Sequence, residues 1–209
     1  MSNGLFIVFE GIDGSGKSEN CERAAAYLSE KTRKSVFLTR EPSDGTAGKK
    51  IRRMLKTDHD PAANAEKYLQ LYAKDRKDHL KREIVPALKR GETVVCDRYK
   101  LSTMAFQQVQ GIAPEKIEKM HRGMPAPDLT IVLDLPAEKA LERTERRGKK
   151  SEKFEKLEFM KAVRQNYLRL ARKFAKENVV VVDAAGSRRA VFGRVGKQLD
   201  KLLASRKTA

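Results

Sequence analysis

Apolar positions along this chain follow two alternating rhythms. Short runs are apolar almost throughout: Leu5–Glu10, Ser35–Arg40, Thr93–Asp97, Leu129–Leu135 and Val179–Asp183. Runs of this length without strict alternation predict strands buried on both faces. Between them the apolar positions space out by three and four. Leu157, Met160, Val163, Tyr167, Leu170 and Phe174 make one such stripe, and Leu69, Tyr72, Arg76 and Leu80 another. That spacing predicts helices with one buried face. Strands alternating with helices imply an α/β fold with a mostly parallel sheet. Right-handed crossovers then gather the C-terminal strand ends along one edge, where open α/β sheets bind ligands. Polar residues just after strands are the ones to watch: Asp13, Arg40 with Glu41, and Asp97 with Arg98. No repeat or low-complexity linker interrupts the pattern, so residues 1–209 are read as one domain. Gly148 to Glu152 reads as a mobile loop between two helices, and Ala204 to Ala209 as a fraying end.

The run Gly11-Ile12-Asp13-Gly14-Ser15-Gly16-Lys17-Ser18 directly follows the first strand and precedes a helical stretch, Glu19 to Ser29. It fits G-x-x-x-x-G-K-[ST] in the strand–turn–helix context that gives this pattern physical meaning. Backbone N–H groups of such a loop converge on phosphate oxygens, and the helix N-terminus adds the positive end of its dipole. Gly11, Asp13, Gly14, Ser15, Gly16, Lys17 and Ser18 are therefore assigned to a nucleoside triphosphate. Lys17 would reach the β- and γ-phosphates, and the Ser18 hydroxyl would help to hold Mg²⁺.

Bulk properties narrow the setting. At 209 residues the chain is long enough for one α/β domain and short for two. No segment has the unbroken apolar length of a membrane span, and the N-terminus has no basic-then-apolar leader. Cys21 and Cys96 suggest neither a metal-ligand spacing nor a disulfide framework, which makes a reducing cytoplasm the expected location. His59, His79 and His121 show no metal or triad spacing and are expected to be surface or packing residues. The net charge is +17, and residues 137 to 176 hold 14 Lys and Arg against 6 Asp and Glu. Such a field could attract nucleic acid, or draw in two phosphorylated small substrates beneath a solvated lysine-rich surface. Few aromatics are interleaved and acidic residues are mixed in, which favours the second reading.

Val94-Val95-Cys96-Asp97-Arg98-Tyr99 sets an acid and a base at a strand end. A carboxylate there can hold Mg²⁺ through water, while the arginine neutralises charge on a transferring phosphoryl group. The plainer alternative is that Asp97 caps the turn or pairs with Arg98. The continuation makes the segment specific. Val95 to Gln107 resembles the D-R-Y-x-x-S-x-x-A-[FY] signature of thymidylate kinases. Thr39-Arg40-Glu41-Pro42 resembles that family's T-R-E-P element. Tyr72-Ala73-Lys74-Asp75-Arg76 resembles its base-reading helix, with an aromatic and an arginine on one helix face. Residues 146–155, from Arg146-Arg147 through Lys153, resemble its lid. The resemblance spans essentially the whole chain in the expected order.

The resemblance implies a three-layer P-loop NTPase fold with a five-stranded parallel sheet in the order 2-3-1-4-5. It implies phosphorylation of dTMP by ATP with Mg²⁺, and a homodimer packed through helices. Residue by residue, it implies that Asp13 accepts a hydrogen bond from the acceptor's 3′-OH and that Arg40 and Arg98 hold its phosphate. Tyr72 would stack on the pyrimidine, with Arg76 and Gln107 on its edge and Ser102 nearby. Phe106 would press against C2′ and disfavour a ribose hydroxyl. Lys17, Ser18, Asp97, Arg98 and Arg40 would carry catalysis, Ser18 and Asp97 the metal, and Arg146, Arg147 and Lys153 the donor phosphates.

Three features depart from the family pattern. The turn from Thr39 to Thr46 is one residue longer than the usual T-R-E-P-G-G-T. Gln107 is followed by Gln108-Val109-Gln110-Gly111 rather than at once by glycine. Lys153 stands where an arginine is often found, and Arg146 or Arg147 could supply the missing fork. Two other P-loop phosphotransferases fit the loop alone. A deoxynucleoside kinase would need a base to activate a 5′-hydroxyl, and a polyphosphate-dependent nucleotide kinase usually continues D-R-S. A nucleic-acid-stimulated ATPase would use the basic surface, but no separate nucleic-acid motif is present.

Overall fold

The computed structural model describes residues 4–58, 60, 62–145 and 153–207. Strands β1 (Phe6–Glu10), β2 (Val36–Arg40), β3 (Thr93–Asp97), β4 (Leu129–Asp134) and β5 (Val179–Asp183) form one parallel sheet ordered β2-β3-β1-β4-β5. This is the order that the resemblance implies. Strand period 2 explains how both faces are covered. On β1, Ile7 and Phe9 join the large cluster with Ala24 and Leu28 of helix α1 (Lys17–Thr32) and Met160, Val163 and Leu170 of helix α8 (Lys153–Lys173). Phe6 and Val8 point the other way and meet Leu80, Ile84 and Ala87.

The remaining helices on the path to the site are α2 (Thr46–Thr57), α3 (Ala65–His79), α4 (Val85–Lys89), α5 (Lys100–Val109), α6 (Pro114–Met120), α7 (Ala137–Glu145) and α9 (Arg188–Lys207). Helix α3 runs into a π-helical turn, Leu80–Ile84, before α4. Both expected stripes face inward: Leu69, Arg76 and Leu80 are buried and Tyr72 half-buried on the α3 side, and Met160, Val163, Tyr167 and Leu170 are buried on α8, with Leu157 and Phe174 half-buried.

Every strand ends in a charged residue: Glu10, Arg40, Asp97, Asp134 and Asp183. Register aligns several of them, with Arg40 and Phe9 both opposite Asp97, and Asp134 opposite Asp183. The sheet's C-terminal edge is thus a row of ionic groups. On that edge both oxygens of Asp134 accept from Arg164 of α8, at 2.6 and 3.0 Å. Ala204 to Lys207 are helical rather than frayed, and residues 208 and 209, the rest of that expectation, lie outside the described residues. Helix α9 persists to Lys207 because Leu199 is buried, Leu202 and Leu203 pack on the core, and Arg206 pairs with Asp128.

Candidate active site

The loop between β1 and α1 is shaped by its glycines. Gly14 has φ +84°, and a Cβ there would lie 2.3 Å from the Ala140 carbonyl oxygen, so any side chain is excluded. Lys17 folds back across the loop and donates to the Ile12 carbonyl at 3.0 Å. Burial, and then the nearby charge of Arg98, lower its pKa to about 8. Ser18 donates to Asp97 Oδ2 at 2.6 Å, across from α1 to the end of β3. Asp97 Oδ1 is buried and without a hydrogen-bond partner among the described residues. An orphaned carboxylate oxygen beside a serine hydroxyl is an oxygen donor set that suits Mg²⁺. Asp97 therefore faces Ser18, not Arg98.

Arg98 is held in the left-handed backbone region, φ +74°, uncommon for a residue with a side chain. That turn sends its guanidinium back over the phosphate loop. Nη2 donates to Asp13 at 2.6 Å, and Nη1 donates to the Gly11 carbonyl at 3.2 Å, Ser102 at 3.0 Å and the Tyr167 hydroxyl at 3.1 Å. Burial works against its charge, but Tyr167, Asp13, Asp97 and Glu10 more than offset that and raise its pKa. Beneath it lies Glu10, fully buried. Its carboxylate accepts from the backbone N–H groups of Tyr99 (2.9 Å) and Ser102 (3.2 Å), from the Ser102 hydroxyl (2.5 Å) and from Tyr167 (3.3 Å). Burial raises the Glu10 pKa, and its hydrogen bonds and Arg98 oppose that rise. Ser102, expected at the acceptor nucleotide, does border the cleft, but its hydroxyl is engaged by Glu10, Arg98 and Tyr167.

A second cleft, about 230 Å³, opens between α3 and α5 and is lined by Tyr72, Arg76, Phe106 and Gln107. Arg76 is 1% exposed, and three acceptors pin it. Nε donates to Glu41 at 2.7 Å, and Nη2 to the Tyr99 carbonyl at 2.9 Å and to Thr103 at 3.1 Å. Its Nη1 is buried and has no partner among the described residues. Gln107 donates to Gln110 at 2.7 Å, and its own Oε1 is buried without a partner among the described residues. Burial pushes the half-buried Tyr72 hydroxyl up to about 12, so the ring stays neutral. The Arg98 guanidinium lies 5.3 Å from the centroid of the Phe106 ring.

The cleft over the phosphate loop, about 300 Å³, contains Lys17, Ser18, Asp97 and Arg40, and it shares Asp13, Glu41 and Arg98 with the α3–α5 cleft. The two clefts therefore border each other at those residues. Arg40 is exposed, and its guanidinium lies 3.8 Å from Asp44. A third cleft of about 400 Å³ lies on the far side of Gly14 and Gly16, against Asn20, Arg143 and the β5–α9 turn. Arg146 and Arg147 lie outside the described residues, as does the segment 148–152; Lys153 opens α8.

Sequence reasoning gave no site role to Glu10, Tyr167, His79 or Arg143. Glu10 carried a signal, an acid ending an otherwise apolar strand. His79 carried another, standing three residues after Arg76 on the same face. Tyr167 read as one more core position in an apolar stripe. Arg143, whose guanidinium spans the Gly14 and Ala184 carbonyls at 3.4 Å each, had none.

The sequence profile of the thymidylate kinase family matches residues 9–195. A probable thymidylate kinase of Archaeoglobus fulgidus is 39% identical over 206 residues, covering 98% of this chain and 100% of that one. A probable thymidylate kinase of Pyrococcus abyssi is 39% identical over 180 residues, 85% of this chain and 87% of that protein. The crystal structure of thymidylate kinase from Ehrlichia chaffeensis superposes with a TM-score of 0.75 at 27% identity, covering 94% of this chain and 99% of that one. A phosphate loop opening onto a cleft with an inward arginine, in a chain that matches that profile over most of its length, therefore belongs to the thymidylate kinase family.

Proposed function

We propose that this chain transfers the γ-phosphate of ATP to dTMP, giving dTDP and ADP, and that residues 1–209 act as one catalytic unit. The observation that carries this reading is the junction of the two clefts at Asp13 and Arg98. A donor phosphate on the loop and an acceptor phosphate from the α3–α5 cleft would meet there. Phosphoryl transfer needs little covalent help, so positioning and charge neutralisation dominate. The acceptor oxygen is already anionic, and no strong base is required.

In this reading the loop amides, Lys17 and Ser18 hold the donor. Ser18 and Asp97 would hold Mg²⁺, which supplies charge neutralisation on the phosphates when bound. Arg98 and Arg40 hold the acceptor phosphate, Arg40 being free to swing because it is so exposed. Asp13 receives the sugar 3′-OH, exchanging part of its contact with Arg98. Phe106 fills the space beside C2′. Tyr72 stacks on the base, Arg76 Nη1 donates to a pyrimidine carbonyl, and Gln107 Oε1 accepts from the ring N–H. A cytosine would set its amino group against Arg76, donor against donor. Arg146, Arg147 and Lys153 close over the donor phosphates and exclude water. The family reading further makes the chain a cytoplasmic homodimer, which light scattering at twice the chain mass would support.

The test is a coupled assay offering dTMP, dUMP, dCMP, UMP, AMP or buffer alone as acceptor. Activity greatest with dTMP is the expected result. Equal turnover with every monophosphate, or turnover without any, would remove this reading.

A further inference from the structure

We infer that His79 is a positioning residue for base selection, acting through Glu41 on Arg76; this rests on reading the α3–α5 cleft as the pyrimidine site. Arg76 can aim Nη1 into that cleft only while its guanidinium plane is fixed. Two restraints fix it: Glu41 Oε2 takes Nε at 2.7 Å, and Tyr99 and Thr103 take Nη2. Glu41 is itself a buried carboxylate, 3% exposed, and its second oxygen, Oε1, accepts from His79 Nδ1 at 3.2 Å. On the far side of the ring, His79 Nε2 lies 2.8 Å from the Thr39 hydroxyl. Among the described residues it also forms an ion-pair contact with Glu83, whose carboxylate is 3.7 Å from Nε2, half exposed and too distant for a hydrogen bond.

The chemistry of the relay follows from the acceptor at its centre. A ring nitrogen facing a carboxylate carries a proton, so Nδ1 donates to Glu41 and Nε2 meets the Thr39 hydroxyl. Remove that donor and Glu41 Oε1 is a buried anionic oxygen with nothing to satisfy it, a costly state. It relieves this by turning to pair side-on with Nε and Nη2 of Arg76. That movement draws Nη2 from Tyr99 and Thr103 and swings Nη1 off the cleft. His79 thus acts on the base without touching it. Thr39 ties the relay to β2, so the same strand end that presents Arg40 also sets the orientation of Arg76.

Two substitutions separate this role from simple packing. In His79→Asn the side-chain amide nitrogen takes the place of Nδ1 and still donates to Glu41. In His79→Gln the amide reaches the place of Nε2 and Glu41 loses its donor. The measurements are kcat and KM for dTMP and for dCMP. His79→Gln is expected to raise the KM for dTMP about tenfold with kcat nearly unchanged, and to lower the dTMP-over-dCMP ratio of kcat/KM about tenfold. His79→Asn is expected to keep that ratio within about threefold of wild type. Both variants keeping the wild-type ratio, or both losing it alike, would overturn the inference. Nitrogen-15 spectra of the wild-type histidines provide a second test that needs no variant to fold. A protonated Nδ1 on His79 supports the relay, and a neutral ring protonated only at Nε2 overturns it. A wild-type protein that ignores dTMP would defeat the functional reading, while the spectra would still judge the relay.

Discussion

Lys17 combines two demands that conflict in water. It must be charged to hold phosphates, yet the loop buries it, and burial together with Arg98 brings its pKa down to about 8. A bound triphosphate favours the ammonium and pulls that value back up. In the free protein the amine therefore loses its proton as pH rises through about 8, and kcat/KM for ATP should fall above that point. A profile for ATP at saturating dTMP checks this, and a flat profile to high pH would contradict it. Lys17→Ala should lower turnover by roughly three orders of magnitude. Tyr167 makes a different case at the same scale. Tyr167→Phe keeps the ring against Phe106 and deletes the hydroxyl that joins Glu10, Ser102 and Arg98. Stability should change by only about 1 kcal/mol. Turnover should drop about tenfold, because Arg98 loses one of the contacts that aim it. Unchanged kcat with a lowered melting temperature would assign the hydroxyl to packing alone.

Among the elements, the turn from Thr39 to Thr46 shows how a departure from family pattern is absorbed. Its extra residue is tied down by two helices. Asp75 of α3 accepts from the Ser43 backbone N–H at 2.7 Å and from its hydroxyl at 2.6 Å. Arg52 of α2 donates to the Pro42 and Ser43 carbonyls, both at 2.7 Å. The approach is so close that a Cβ on Gly48 would lie 2.0 Å from the Ser43 carbonyl oxygen and 2.8 Å from Asp75. Gly48→Ala should therefore push α2 off the turn and cost roughly 1–3 kcal/mol. Thermal unfolding reads that loss. The same variant should raise the KM for dTMP, since the displaced turn carries Arg40 and Glu41; an unaltered KM would separate the turn from the site.

For the whole molecule, the net charge of +17 is carried mostly on the outside, where individual ion pairs contribute little. The pairs Lys161–Glu138, Lys161–Glu158 and Lys173–Glu118 show the basic stretch of α8 interleaved with acids. Stability against acid is governed from inside. His121 is 5% exposed, donates Nδ1–H to the Ile117 carbonyl, and has its Nε2 buried without a partner among the described residues. Burial and then the charge of Arg76 lower its pKa from 6.5 to about 4. The unfolded chain therefore takes up this proton before the folded one does. The histidine's contribution is complete above pH 6.5 and is lost as pH falls towards about 4. Melting temperatures between those limits should decline for the wild type and decline less for His121→Asn. Equal slopes would place the acid sensitivity elsewhere.

Continuous apolar runs and three-and-four spacing determined the strands and helices here, because burying apolar surface is a property each segment carries with it. The phosphate loop and the D-R-Y segment were legible for a related reason: their chemistry is local, held within a few consecutive residues. The pairing of groups far apart in the chain was decided only by the tertiary structure. Asp97 meets Ser18 and not its neighbour Arg98, because the strand end and the left-handed turn at Arg98 point the two side chains apart. Tyr167 and Glu10, 157 positions apart, share a hydrogen bond that no periodicity encodes. Arg76 keeps Nη1 without a partner among the described residues because acceptors just after β2 and β3 and on α5 take its other nitrogens. A sequence gives each residue its hydrogen-bonding capacity and its preference for burial, while crossovers and strand register choose which buried groups must satisfy one another.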